Sequence, residues 1–173
     1  MPNSADAVLV ITGSMGSGKT TVMYEASDLL QLQGIYHASI DLDALGAPHL
    51  PPEQGGGDVD RRNLQCVWQN FAALGLRQLL LATAIEKRTD LESLQDAVPA
   101  RAWVICRLRA GLETMEKRVR SREPGIMQDQ LVARVSVLEQ VLDRCSLEDF
   151  SVANEGRPVT DVAREVLTRA GWL

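Results

Sequence analysis

Eight residues near the start of the chain have the types and spacing needed to hold a phosphate chain. Gly13-Ser14-Met15-Gly16-Ser17-Gly18-Lys19-Thr20 satisfies the pattern G-x-x-x-x-G-K-[ST]. Each fixed position has a physical reason. Polyphosphate is wrapped by backbone N–H groups, and Gly13, Gly16 and Gly18 let the backbone come close and take positive φ. A helix opening near Gly18 aims its unpaired N–H groups and the positive end of its dipole at the anion. Lys19 has the length to reach the β- and γ-phosphates, and Thr20 offers a hydroxyl to Mg²⁺. Ser14, Ser17 and Thr21 add polar side chains to the same nucleotide-binding stretch. A chain of this length meets the pattern by chance on the order of one time in a hundred or less. A simple glycine-rich turn is therefore the weaker reading.

Other residues have types suited to work beside that loop. Asp41 and Asp43 are two carboxylates one residue apart, following a short apolar run. At a strand end they point the same way; the alternative is an ordinary acidic turn. Arg118 and Arg122 lie four apart, on one face of a helix. Guanidinium is planar for stacking and forked for phosphate oxygens. The alternative is a solvated basic face, since Lys117 and Arg120 complete a charge run. Arg134 is a further basic candidate, and Arg61 and Arg62 follow a glycine-rich segment. Glu86, three positions past Thr83, is a weak match to the carboxylate that ends the third strand of other nucleotide-binding proteins.

These residues need elements to carry them. Residues 7–12 are apolar and β-branched, the pattern of a strand buried on both faces of a parallel sheet. A helix is predicted from about Gly18 to Gln33, stopped by Gly34. Tyr36 to Ile40 is a second strand. Residues 44–58, with Pro48, Pro51, Pro52 and Gly55-Gly56-Gly57, form a loop. A helix over 59–74 is followed by a third strand within 77–83. Thr89-Asp90-Leu91-Glu92 has capping-box spacing, so a short helix starts there and stops before Pro99. A fourth strand at 102–108, a helix over 111–122 and a break at Glu123-Pro124-Gly125 come next. Leu131, Val135, Leu138 and Leu142 recur at helical spacing, a stripe for the core. A short strand at 150–153 and a helix opened by Pro158 complete the chain. The alternation implies an α/β fold of three layers, with about five parallel strands flanked by helices, in a single domain over residues 1–173.

With the phosphate loop, Asp41-Leu42-Asp43 and Arg118-x-x-x-Arg122 in this order, the chain resembles the small P-loop kinases of the nucleoside-monophosphate-kinase-like group. That group includes shikimate, gluconate and adenylylsulfate kinases and chloramphenicol phosphotransferase. The resemblance implies ATP and Mg²⁺ as cofactors and a small-molecule acceptor as partner. It implies that Lys19 and Arg122 stabilise the transferring phosphoryl group, and that Asp41 is a general base or a water-mediated Mg²⁺ ligand beside Thr20. Asp43 would hold an acceptor hydroxyl, and Arg118 would pack near adenine. Arg61, Arg62 and Arg134 would face the acceptor, within a region of about 44–74. The resemblance also implies a short lid over about 123–128 and an adenine-side loop at Asn154-Glu155-Gly156-Arg157, touching the base through its backbone. Trp68 is a core or pocket-wall residue.

Composition narrows the classes. A net charge of −5 and a pI of about 5.1 weigh against a nucleic-acid surface. Cys66, Cys106 and Cys145 are odd in number and far apart, which argues for mostly buried, reduced thiols over zinc or disulfides. No membrane span or leader is legible, and the cytoplasm is the expected location. Two other functions compete with phosphate transfer. One is a nucleotide-dependent regulatory module without an acceptor. The other is a GTPase-type switch, for which Asp43-Ala44-Leu45-Gly46 offers D-x-x-G, though no N-K-x-D guanine signature occurs.

Overall fold

The computed structural model describes residues 4–46 and 59–173. Five strands form one parallel sheet: β1 (Ala5–Thr12), β2 (Ala38–Asp41), β3 (Gln78–Ala82), β4 (Ala100–Arg109) and β5 (Phe150–Ala153). Their spatial order is β2-β3-β1-β4-β5. Helices α1 (Lys19–Leu32), α2 (Val59–Ala73), α3 (Arg88–Ala97), α4 (Leu112–Arg122), α5 (Gln128–Cys145) and α6 (Val159–Arg169) connect and cover the strands. The α/β class and strand count expected from the sequence are those observed.

β1 is central because its residues suit nothing else. Val8, Leu9, Val10 and Ile11 are all fully buried, on alternating faces. Val8 and Val10 join Leu79, Leu81 and Ile105 under Leu64 and Trp68 of α2 and Leu91 and Leu94 of α3. Leu9 and Ile11 join Leu80, Cys106 and Val152 under Val22 and Leu30 of α1 and Val162 and Val166 of α6. A third, smaller cluster of Met115, Val119, Val132 and Val135 sews α4 to α5. The chain fills the sheet on one side of β1 with β2 and β3 and then crosses to the other side with β4 and β5. A crevice opens at such a point in parallel sheets, and the glycine-rich loop starts there.

Several boundaries differ from the sequence reading. β2 begins at Ala38, where pairing with Leu79 begins, rather than at Tyr36, which is exposed. His37 is tied off before the strand, its Nε2 to Ser27 Oγ and its Nδ1 to Ile35 O, each at 2.8 Å. α3 starts one residue before the predicted cap at Thr89. Asp90 caps it, its Oδ2 accepting from the amides of Glu86 (3.1 Å) and Lys87 (3.2 Å). α5 extends beyond its apolar stripe at both ends. Of the cysteines, Cys106 is buried and Cys145 half-buried, but Cys66 is exposed, contrary to expectation. Residues 47–58 lie outside the described residues. They include most of the predicted loop and the first part of the predicted acceptor region. Among the described residues no helix is long and apolar enough to cross a membrane.

Candidate active site

The glycine-rich loop runs from the end of β1 into α1 and is shaped by close approaches. Gly16 has φ +76° and Gly18 φ +95°. A Cβ on Gly16 would strike the Met115 backbone, and one on Gly18 would strike Asn154 Nδ2. Val22 N–H makes the first α-helical bond, to Gly18 O at 2.9 Å. The amides of Lys19, Thr20 and Thr21 precede it, in the first turn, where a helix has no acceptor for them. Lys19, Thr20 and Thr21 line a cavity, and free amides at a helix start suit an anion.

Lys19 lies against the loop, its Nζ donating to Gly13 O (3.1 Å) and Ser14 O (3.2 Å). Burial holds its pKa below the usual 10.5; Asp43 opposes that shift, Arg122 adds to it and Asp41 opposes it. Burial here weighs against the ammonium form, and an anion beside Lys19 would favour that form. Thr20 Oγ1 donates to Asp41 Oδ2 at 2.6 Å. Asp41 Oδ1 accepts from Asp43 N–H at 3.1 Å, which starts the 3-10 turn Leu42–Leu45. A strand end on β2 and a helix start on α1 thus place one hydroxyl and one carboxylate side by side. Both are hard oxygen donors, the kind of pair that fits Mg²⁺.

A cavity of about 90 Å³ opens at this point. Gly16, Gly18, Lys19, Thr20, Thr21, Asp43 and Arg122 line it, joined by Met15. Arg122, at the last turn of α4, donates from Nε to Glu123 Oε1 at 2.8 Å and is largely exposed. The structure brings these predicted residues together. It places others elsewhere. Ser14 turns away, its Oγ donating to Val135 O of α5 at 2.9 Å. Ser17 is buried. Arg118 bridges Gly16 O (3.1 Å) and Asn154 O (3.0 Å). Arg134 pairs with Glu86 at 2.6 Å and, with Met127, Leu131 and Val137, lines a separate surface pocket on α5. Arg61 and Arg62 sit on the first turn of α2, half-buried and exposed, and do not line the cavity. Arg120 pairs with Asp129 (3.4 Å), and Trp68 is core.

Sequence reasoning missed two features. It gave the turn after β5 only backbone contacts, whereas Asn154 Nδ2 donates to Ser17 O at 2.7 Å. Glu155 of the same turn accepts from Gly111 N (2.9 Å) and from Thr114 Oγ1. It also read Arg107 only as a strand residue. Arg107 is 1% exposed and pairs with Glu139 (2.7 Å), Asp143 (3.0 Å) and Glu148 (3.4 Å). Polar residues at strand ends were the available signal in both cases.

Comparison with known proteins bears on the fold. No family model matches the chain, and no curated protein matches it in sequence. Solved structures do match, over 95% or more of the chain. A sugar kinase from Janibacter sp. superposes with a TM-score of 0.66 at 20% identity, over 96% of this chain and 95% of that one. Shikimate kinase from Acinetobacter baumannii, solved with shikimate, gives 0.61 at 18%, over 97% and 94%. The Mycobacterium tuberculosis APS kinase, solved with AMPPNP and APS, gives 0.58 at 21%, over 97% and 99%. The chain has the fold of the small P-loop kinases, a five-stranded parallel sheet flanked by helices.

Proposed function

We propose that the protein is an ATP-dependent phosphotransferase that moves the γ-phosphoryl group to a hydroxyl of a small molecule. One observation carries this reading most. Thr20, whose hydroxyl is 2.6 Å from Asp41, lines one cavity together with Lys19, Asp43 and Arg122. A protein that only bound nucleotide would need the loop. It would not need two carboxylates and an arginine around the end of the phosphate chain. The kinase structures that share the fold, two of them solved with acceptors, support the same general class.

The chain's own residues have clear tasks in such a reaction. The amides at the start of α1 hold the phosphate oxygens. Lys19 exchanges the carbonyls of Gly13 and Ser14 for the β- and γ-phosphates. Thr20 and Asp41 would hold Mg²⁺, which supplies neutralisation of charge on the phosphate oxygens. Arg122 leaves Glu123 to meet the γ-phosphoryl oxygens. Asp43 orients the acceptor hydroxyl. The proton of that hydroxyl passes to the Asp41 carboxylate, directly or through water. The acceptor oxygen bonds to the γ-phosphorus as the bond to the bridging oxygen breaks, and ADP departs.

The test is a pooled-metabolite incubation with ATP and Mg²⁺, read by mass spectrometry for any species that gains one phosphoryl group. Lys19→Met and Asp41→Asn should each lower transfer by about a hundredfold or more, with the fold intact by circular dichroism. An Asp41→Asn protein with undiminished turnover removes the base assignment. A chain that binds ATP but phosphorylates nothing in a broad pool removes the transferase reading.

A further inference from the structure

We infer that Asn154 is a positioning residue for the phosphate-binding loop, acting through the Ser17–Gly18 peptide. The inference extends the reading above and rests on it only for the identity of the ligand, a nucleoside triphosphate. Asn154 follows β5 and is 8% exposed. Its own backbone N–H is held by Arg109 O at 2.7 Å, so its position is set by the edge of the sheet rather than by the loop. Its side chain then reaches the loop, with Nδ2 donating to Ser17 O at 2.7 Å. A carbonyl only accepts, so the amide must present its nitrogen here.

The consequence follows from peptide geometry. In a planar trans peptide the C=O and the next N–H point in opposite directions. Drawing Ser17 O toward Asn154 turns Gly18 N–H away from it, and Gly18 lines the cavity. Asn154 thereby aims one amide at the place where phosphate oxygens bind. The fit is close enough to exclude any side chain at Gly18, since a Cβ there would overlap Asn154 Nδ2. The same turn controls the neighbouring helix. Asn154 O accepts from Arg118 Nη2 at 3.0 Å, while Arg118 Nη1 holds Gly16 O at 3.1 Å. Glu155 pins the start of α4 through Gly111 N and Thr114 Oγ1. One turn therefore holds the loop and registers the helix that carries Arg122 against it.

The experiment compares ATP and adenosine as competitors for a fluorescent ATP analogue. It uses wild type, Asn154→Ala and Asn154→Leu, without any phosphoryl acceptor. Leu is nearly isosteric with Asn, carries no charge and cannot donate to Ser17 O, so it serves if the Ala variant fails to fold. The expected result is a loss of about tenfold in ATP affinity, the scale of one charge-assisted hydrogen bond. Adenosine affinity should fall by less than ATP affinity, because the turn meets the base through its backbone, which the substitution keeps, while the Gly18 amide meets the phosphates. General loosening of the fold would weaken both ligands alike. An equal loss for both, or a folded variant that binds ATP as wild type does, overturns the inference. The readout is binding, so a protein that binds ATP and never transfers phosphate still decides the matter, and that result would remove only the transferase reading.

Discussion

Lys19 carries its charge where burial makes a cation unfavourable. Its pKa lies below 10.5 because of desolvation, which Asp43 and Asp41 offset only in part. The sign of the pH effect follows. A bound polyphosphate stabilises the ammonium form and raises the depressed pKa, so binding favours the protonated side chain. ATP affinity should fall as pH rises through the free-protein value, with a midpoint below 10.5. Lys19→Met should bind weakly and without that dependence; titrations of both proteins across the alkaline range check this. Gly16 gives a second prediction at this scale. Its φ of +76° and the Met115 backbone leave no room for a methyl group. Gly16→Ala should cost about 1–3 kcal/mol in urea unfolding and displace the loop. The loop residues were legible because their spacing reflects local backbone demands. The direction of Ser14 was not, because its partner, Val135 O, is 121 residues away.

Elements place these residues through contacts that local pattern does not announce. The strands could be read because short runs such as Val8-Leu9-Val10-Ile11, buried on both faces, suit a central parallel strand. Their limits could not, since β2 starts only where β3 offers a partner. The apolar stripe of α5 was visible, but its acidic side was not read as a docking face. Glu139 and Asp143 of α5, with Glu148 beyond it, close around the buried Arg107 of β4. Arg107→Ala would take from Glu148 its ion pair and leave Glu139 and Asp143 only Arg109. It should destabilise the protein by about 3 kcal/mol, the lower end for a broken buried pair because Arg109 remains beside Asp143. Chemical denaturation measures the loss directly. For Asp143, burial acts to raise the pKa, but Arg107 and Arg109 outweigh it and hold the carboxyl below 3.8. The unfolded carboxyl binds its proton first. This contribution is therefore present above pH 3.8 and is lost as pH falls through the lower folded value.

At the scale of the whole molecule, the candidate site is built from parts far apart in sequence. The loop after β1, the turn after β2, α1 and α4 each contribute to the lining of the cavity, and all must be folded for it to exist. Under the proposed function, nucleotide binding would therefore be coupled to global stability. At a free ATP concentration of 100 times Kd the gain should be about 2.7 kcal/mol. For a domain of this size that corresponds to a rise in Tm of roughly 5–10 °C. Equal protection by GTP in the same thermal scan would favour the switch-type reading over the kinase reading. The cysteine distribution has a practical use. Burial pushes the Cys106 thiol up to about 12, and Cys145 gives its Sγ–H to Glu86 O. Cys66, exposed on α2, is the thiol a maleimide dye meets first. The wild-type chain thus supports single-site fluorescent labelling on α2, the helix within the predicted acceptor region. Peptide mapping verifies the attachment, and a change in dye emission on adding a candidate acceptor would report its binding without any assay of turnover.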